Sequence, residues 1–283
     1  MFSRRAGHRF NRGRVATGAG SPPAVGTVTQ SVQVDMPFEL FAANYSPVSE
    51  GNLLSWVDFQ DLATYTVVST DITALSDKVA GVTWTSTDGT CPYDATGING
   101  HPCAKPAVIG DRFNTTNAAL VAAMDTTAAA KPYTWFSVVL ATSLDVLEYI
   151  IGWANSTTNT DDMRGFGQGT ASTGRWAQHI VNGATAVVSS TAATDIATAH
   201  VLCWHGNVTH NFQLDNAAAA PAAAVQSVVG ITPDRVALFG RPRLTPDNPA
   251  TSRIGENLFY GAELDAAAVT RVANYLKTKW GTP

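Results

Sequence analysis

The stretch IGENLFYGAELDAAAVTRVANYLKTKWG (254–281) decides the fold. Its first part, ENLFYGAEL (256–264), is rich in aromatic and apolar residues and reads as a strand that closes a β series. Asp265 then stands where a helix N-cap belongs, and Ala266 to Lys279 form the helix body. Val269, Val272 and Leu276 fall on one stripe with Ala273 beside it. Lys277 and Lys279 suit the negative end of the helix, and Gly281 suits the position just past it.

Working outward, the rest of the chain reads as strand, turn, strand. LLSWVDF (53–59), TYTVVS (64–69), PAVIGDRF (106–113), YTWFSVVLA (133–141) and VLEYIIGWA (146–154) come first. GRWAQHIV-NG-ATAVVSS (174–190) is the clearest hairpin, because Asn182-Gly183 supplies the positive-φ pair of a type I′ turn. AHVLCWHG (199–206) and VTHNFQLDN (208–216) read as an adjacent pair, followed by RVALFGRPR (235–243). The Ala-rich segment 217–224 contains Pro221 and reads as a connector. Hydrophobic residues make up 45% of the chain and charged residues 14%, enough apolar material for one sizeable core with a largely neutral surface. This predicts an all-β protein: an antiparallel sandwich or jelly roll with one C-terminal helix.

Two groups of residues carry a family resemblance. Trp56, Asp58, Asp77 and Lys78 lie in an opening apolar-Trp-apolar-Asp strand and a later Asp-Lys turn, and Phe113 follows a core strand. Glu256, Tyr260, Leu264, Asp265, Tyr275, Leu276, Lys279, Trp280 and Gly281 form the close. In these the chain resembles the concanavalin A-like (laminin-G-like) jelly rolls found in tailed-phage structural proteins and secreted bacterial proteins. Residues 114–235 match only in strand rhythm. The resemblance implies a carbohydrate- or protein-binding scaffold and transfers no catalytic residue.

Charge divides the chain. Residues 1–14 hold Arg4, Arg5, Arg9, Arg12 and Arg14 and no acid, whereas the remainder holds 13 basic against 22 acidic residues. Residues 1–45 read as an extended basic arm and 46–283 as the jelly-roll domain. The arm suits docking onto an acidic protein surface; a solvated tail is the plainer alternative. No basic patch recurs in the body, which argues against nucleic acid as the main partner. No apolar run is long enough to span a membrane, and the arm lacks the apolar centre of a signal peptide.

For chemistry, the five glutamates Glu39, Glu50, Glu148, Glu256 and Glu263 do not make the closely spaced carboxylate pattern of glycanases on this fold. No Gly-x-Ser-x-Gly elbow is present, and the Cys203/His205 pairing on one strand face is read as inert. His200, His205 and His210 lack metal-ligand spacing, so no metal site is assigned, although Asp161-Asp162 could contribute to calcium binding in a loop. Cys91 and Cys103 bracket a turn-rich loop; they either close a short disulfide or stay reduced. Sugar-binding candidates are Trp84 and Tyr93 in a long 80–105 loop, and Trp153 and Trp176 near polar loops. Core positions are the alternative for each. The expectation is a non-enzymatic surface protein of a tailed-phage virion, a tail-fibre or appendage subunit. It would be held by its arm to other virion proteins, homo-oligomeric, and able to touch host glycan. A head decoration protein and a free lectin-like or carbohydrate-active bacterial protein are the alternatives.

Overall fold

A computed structural model describes residues 45–283 apart from 87–89, 127–128, 144–146, 159–162, 170–174, 183, 194, 208, 219–229, 243 and 246–248. The arginines of the arm and Asp161-Asp162 lie outside the described residues. Every strand pairing among the described residues is antiparallel. One sheet runs β1 (Leu53–Asp58), β17 (Arg253–Tyr260), β8 (Tyr133–Leu140), β13 (His200–Gly206), β14 (His210–Leu214) and β15 (Ala217–Ala218). The other runs β4 (Thr83–Ser86), β7 (Phe113–Thr115), β16 (Arg235–Leu238), β9 (Glu148–Ala154), β10 (Met163–Gly169), β11 (Arg175–Asn182) and β12 (Ala184–Ala193). The short strands β2 (Tyr65–Val68), β3 (Asp71–Ser76), β5 (Cys91–Ile98) and β6 (His101–Ala104) link the two at one side: β3 pairs with β4 and β5, and β6 meets β17.

Side-chain alternation makes the first sheet two-faced. On β8, Tyr133, Trp135 and Val139 enter the core between the sheets, while Phe136 and Val138 enter a second cluster on the opposite face. On β13, Leu202 and Trp204 take the first side, and Val201 and Cys203 the second. The second cluster exists because helix α2 (Ala266–Trp280) covers it with Val269, Val272, Leu276 and Trp280, all fully buried. The Asp265 side chain accepts from the Ala268 amide at 2.7 Å, and Gly281 is left-handed at φ 62°. The cap, the apolar stripe and the stop therefore lie where the sequence places them.

Elsewhere the structure corrects the reading. The 80–105 segment is built from β4, β5 and β6 rather than one long loop. PAVIGDRF gives a 3-10 turn at Ile109–Asp111 followed by the short β7. A short helix α1 (Ala118–Ala122) follows it, capped by Asn117, whose side chain accepts from the Leu120 amide. β8 and β9 are neighbours in sequence but belong to opposite sheets. Cys91, Cys103 and Cys203 are all free and buried. Cys91 packs between the sheets and Cys103 under α2, so the short disulfide considered for the first two is not formed. No helix among the described residues is long and apolar enough to cross a membrane.

Replacing Leu276 by Ala removes a fully buried side chain from the seam between α2 and the sheet. It should cost about 2–5 kcal/mol, read as a lower urea midpoint with little change in slope; a change under about 0.5 kcal/mol would show that the helix is not integral to the fold.

Candidate functional site

Of the residues that carry the family resemblance, Trp56, Asp58, Asp77, Lys78, Glu256, Lys279 and Trp280 meet in one largely buried cluster, whereas Phe113 packs between the sheets. A register shift between Ile254 and Glu256 inserts Gly255 into β17. Ile254 therefore faces the inter-sheet core, while Leu258 and Tyr260 face the helix. A Cβ on Gly255 would lie 2.6 Å from the Trp280 ring, so only glycine lets that indole lie against the strand. Glu256, fully buried, accepts from Trp56 Nε1, Trp280 Nε1 and Lys279 Nζ, each at 2.7 Å. Lys279 Nζ also donates to Asp58 Oδ2 at 2.7 Å, and Lys78 Nζ reaches the same oxygen at 3.1 Å. Asp77 accepts from Ser55 Oγ, the Trp56 and Val79 amides and Trp84 Nε1 at 2.5–3.0 Å.

Asp58 and Glu256 share one ammonium and so lie near the carboxylate spacing of a retaining glycosidase, about 5 Å. Their surroundings are different. Asp58 is 2% exposed and Glu256 0%, and each Glu256 oxygen is already held by indole or ammonium donors. Burial pushes the Glu256 carboxyl up and the Lys279 charge opposes it. Burial likewise raises Asp77 against its four donors. This cluster fastens β1, β17 and α2 together.

Three of the four aromatic candidates are also interior. Trp84, Trp153 and Trp176 are 3%, 0% and 0% exposed; Trp153 donates to the Leu120 carbonyl at 2.9 Å and packs on Phe259. A ring with no free face offers no platform for a sugar. Tyr93 is half-buried, and its ring lies 5.7 Å from that of Tyr65. The histidines are placed separately. His200 Nδ1 lies 2.6 Å from Asp215. His205 is 3.8 Å from Glu263. His210 Nδ1 lies 2.9 Å from the Tyr133 hydroxyl. Gln178 satisfies its neighbours with its oxygen toward the buried Arg164 and its amide nitrogen toward Tyr133 and His210. Among the described residues no group of three His, Cys, Asp or Glu could hold a metal ion.

A groove of about 430 Å³ opens on the outer face of the second sheet, where β4, β7 and β16 run side by side. Gly81, Thr83 and Thr85 line it from the β4 side, Asn114 to Asn117 from the middle, and Arg235 from the β16 side. Alternation puts them there: Trp84, Phe113 and Val236 point into the core, so Thr83, Thr85, Asn114 and Arg235 point out. Asn117 fixes the rim, donating to the Gly81 carbonyl at 3.0 Å while it caps α1. Thr83, Thr85, Thr116 and Arg235 make no side-chain hydrogen bond within the described residues. Sequence reading reached this site only through the 80–105 segment and its aromatics. The usable signals were the threonines flanking Trp84 and the Asn-Thr-Thr-Asn run after Phe113.

No described protein family and no curated protein matches the chain. Solved structures do. One is the sialidase of Trypanosoma rangeli in complex with sialic acid (TM-score 0.53, 10% identity, 81% of this chain and 33% of that one). Others are the NanB sialidase of Streptococcus pneumoniae, K499G mutant (0.42, 13%, 50% and 24%), and the CBM40 of the Ruminococcus gnavus IT-sialidase bound to α2,3-sialyllactose (0.44, 18%, 51% and 84%). The chain thus spans about a quarter of NanB and a third of the trypanosomal enzyme. At this identity the trypanosomal likeness is one of fold, in keeping with the antiparallel sheets described above.

Two buried histidines set a pH dependence. Burial lowers His179 to about 4, and burial aided by the Arg164 charge lowers His210 to about 3. An unfolded histidine takes up its proton near pH 6.5, so the unfolded chain gains protons first and stability falls as pH drops below that value. His179 alone should contribute a loss of about 3 kcal/mol between pH 6.5 and 4. Asp77 and Glu256, raised by burial, act in the opposite sense, so the readout is a difference. His179→Gln should show a shallower fall in urea midpoint from pH 7 to 4.5 than the parent, and parallel profiles would contradict the assignment.

Proposed function

We propose that the chain is a non-enzymatic, lectin-like domain that binds glycan in the β4–β7–β16 groove. The observation that carries this is the lining. Three threonine hydroxyls and a guanidinium, all without side-chain partners among the described residues, converge on a 430 Å³ recess. That volume falls within the range of small-molecule sites, about 300–1,000 Å³, but those are mostly apolar. A polar recess of this kind suits a ligand covered in hydroxyls, each able to exchange water for a threonine or amide partner. Among the described residues the lining contains no carboxylate or histidine to transfer a proton, while the close carboxylate pair, Asp58 and Glu256, is buried against α2. That division supports binding without bond cleavage. The site on the particle is a further part of the proposal: the five arginines of residues 1–14 dock the domain onto an acidic partner in a tailed-phage virion, as an appendage or fibre subunit.

A glycan array probed with the full chain should show binding to a restricted set of oligosaccharides. Thr85→Trp, which fills the recess from an exposed position, should abolish it without altering the melting temperature; retention of binding would move the site elsewhere. Deleting residues 1–30 should leave the circular dichroism of the body intact and eliminate incorporation into particles, and normal incorporation would remove the anchoring role.

A further inference from the structure

We propose that the sugar bound in this groove is negatively charged and that Arg235 selects it. The inference rests on the reading of the groove as a glycan site and adds the chemical class of its ligand. Arg235 opens β16 and is half-buried, at the end of a recess whose other described lining residues are all neutral. It forms no ion pair with any described residue, whereas Arg271 holds Glu50 through two bonds of 2.8 and 2.7 Å and Arg253 lies 3.2 Å from Asp94. The adjacent acid does not serve it, because Asp234 accepts from the Ser156 amide at 2.8 Å and the Ser156 hydroxyl at 2.7 Å.

The groove therefore presents one unneutralised cation among hydroxyls. The planar fork of a guanidinium matches a carboxylate or sulfate with two parallel hydrogen bonds, a stronger and more directional contact than any neutral hydroxyl can make. The described lining residues also include no aromatic ring, so among them the apolar face of a neutral sugar finds nothing to stack on. Charge pairing at Arg235 is left as the largest single source of affinity. Thr83, Thr85 and Thr116 then distinguish one acidic sugar from another through the ring hydroxyls.

The test compares matched oligosaccharides on the full chain: hexuronate trisaccharides, their neutral hexose counterparts, and sulfated forms of the same neutral sugars. An anionic form, carboxylated or sulfated, should bind at least about tenfold more tightly than its neutral parent. The preference should shrink as salt is raised, vanish in Arg235→Gln and survive in part in Arg235→Lys, with an unchanged melting temperature because the Arg235 side chain bonds to no described residue. Equal binding of charged and neutral sugars, or a charged preference indifferent to Arg235→Gln, would overturn the proposal and leave the glycan site standing. Failure of every sugar to bind the parent chain would remove both.

Discussion

Glu256 is a carboxylate with no contact to water, and every group that makes its burial tolerable comes from another part of the chain. Trp56 arrives from the first strand, and Trp280 and Lys279 from the closing helix. Lys279 extends the arrangement to Asp58. A buried charge missing one partner costs several kcal/mol, so the cluster is satisfied only when β1, β17 and α2 are all in place. This is specificity more than strength: apolar residues of equal volume often stabilise such a seam as well, but would not dictate which strand and which turn of helix meet there. The bulge at Gly255 belongs to the same constraint. Without it, Glu256 would share the face of Ile254 and be driven into the apolar core between the sheets.

With the scaffold fixed by that cluster, the groove needs little support of its own. β7 and β16 are pinned from inside by Phe113, Val236 and Leu238, and β4 by Trp84, which also donates to Asp77. Polar residues on the outer surface are then positioned by strand register alone: Thr85 stands opposite Asn114, and Asn114 opposite Ala237. The aromatics that looked like sugar platforms in the sequence instead hold in place the strands on whose outer face the polar recess lies.

The closing helix was legible because its signals are local: a capping aspartate, a stripe at helical spacing and a stopping glycine lie within 17 residues, 265–281. The β11–β12 and β13–β14 pairings were legible for the same reason, although Asn182 ends β11 opposite Ala184 instead of forming half of a two-residue turn. β10 was not, since MRGFGQG carries three glycines and a single aromatic, and its place depends on β9 and β11 flanking it. The meaning of Glu256 was also hidden, because its partner Trp56 lies 200 positions away. The groove is the extreme case. Thr83, Asn114 and Arg235 have no sequence relation, and nothing in the order of residues says that three strands so far apart become neighbours.

That long reach has a consequence for how the molecule comes into being. β17 lies between β1 and β8, so the early strand cannot find its permanent neighbour until nearly the whole chain has emerged from the ribosome. Its apolar surface, and that of β8 and β13, must wait uncovered for the helix. Such non-local wiring makes for slow maturation and a newly made chain vulnerable to sticking to its siblings.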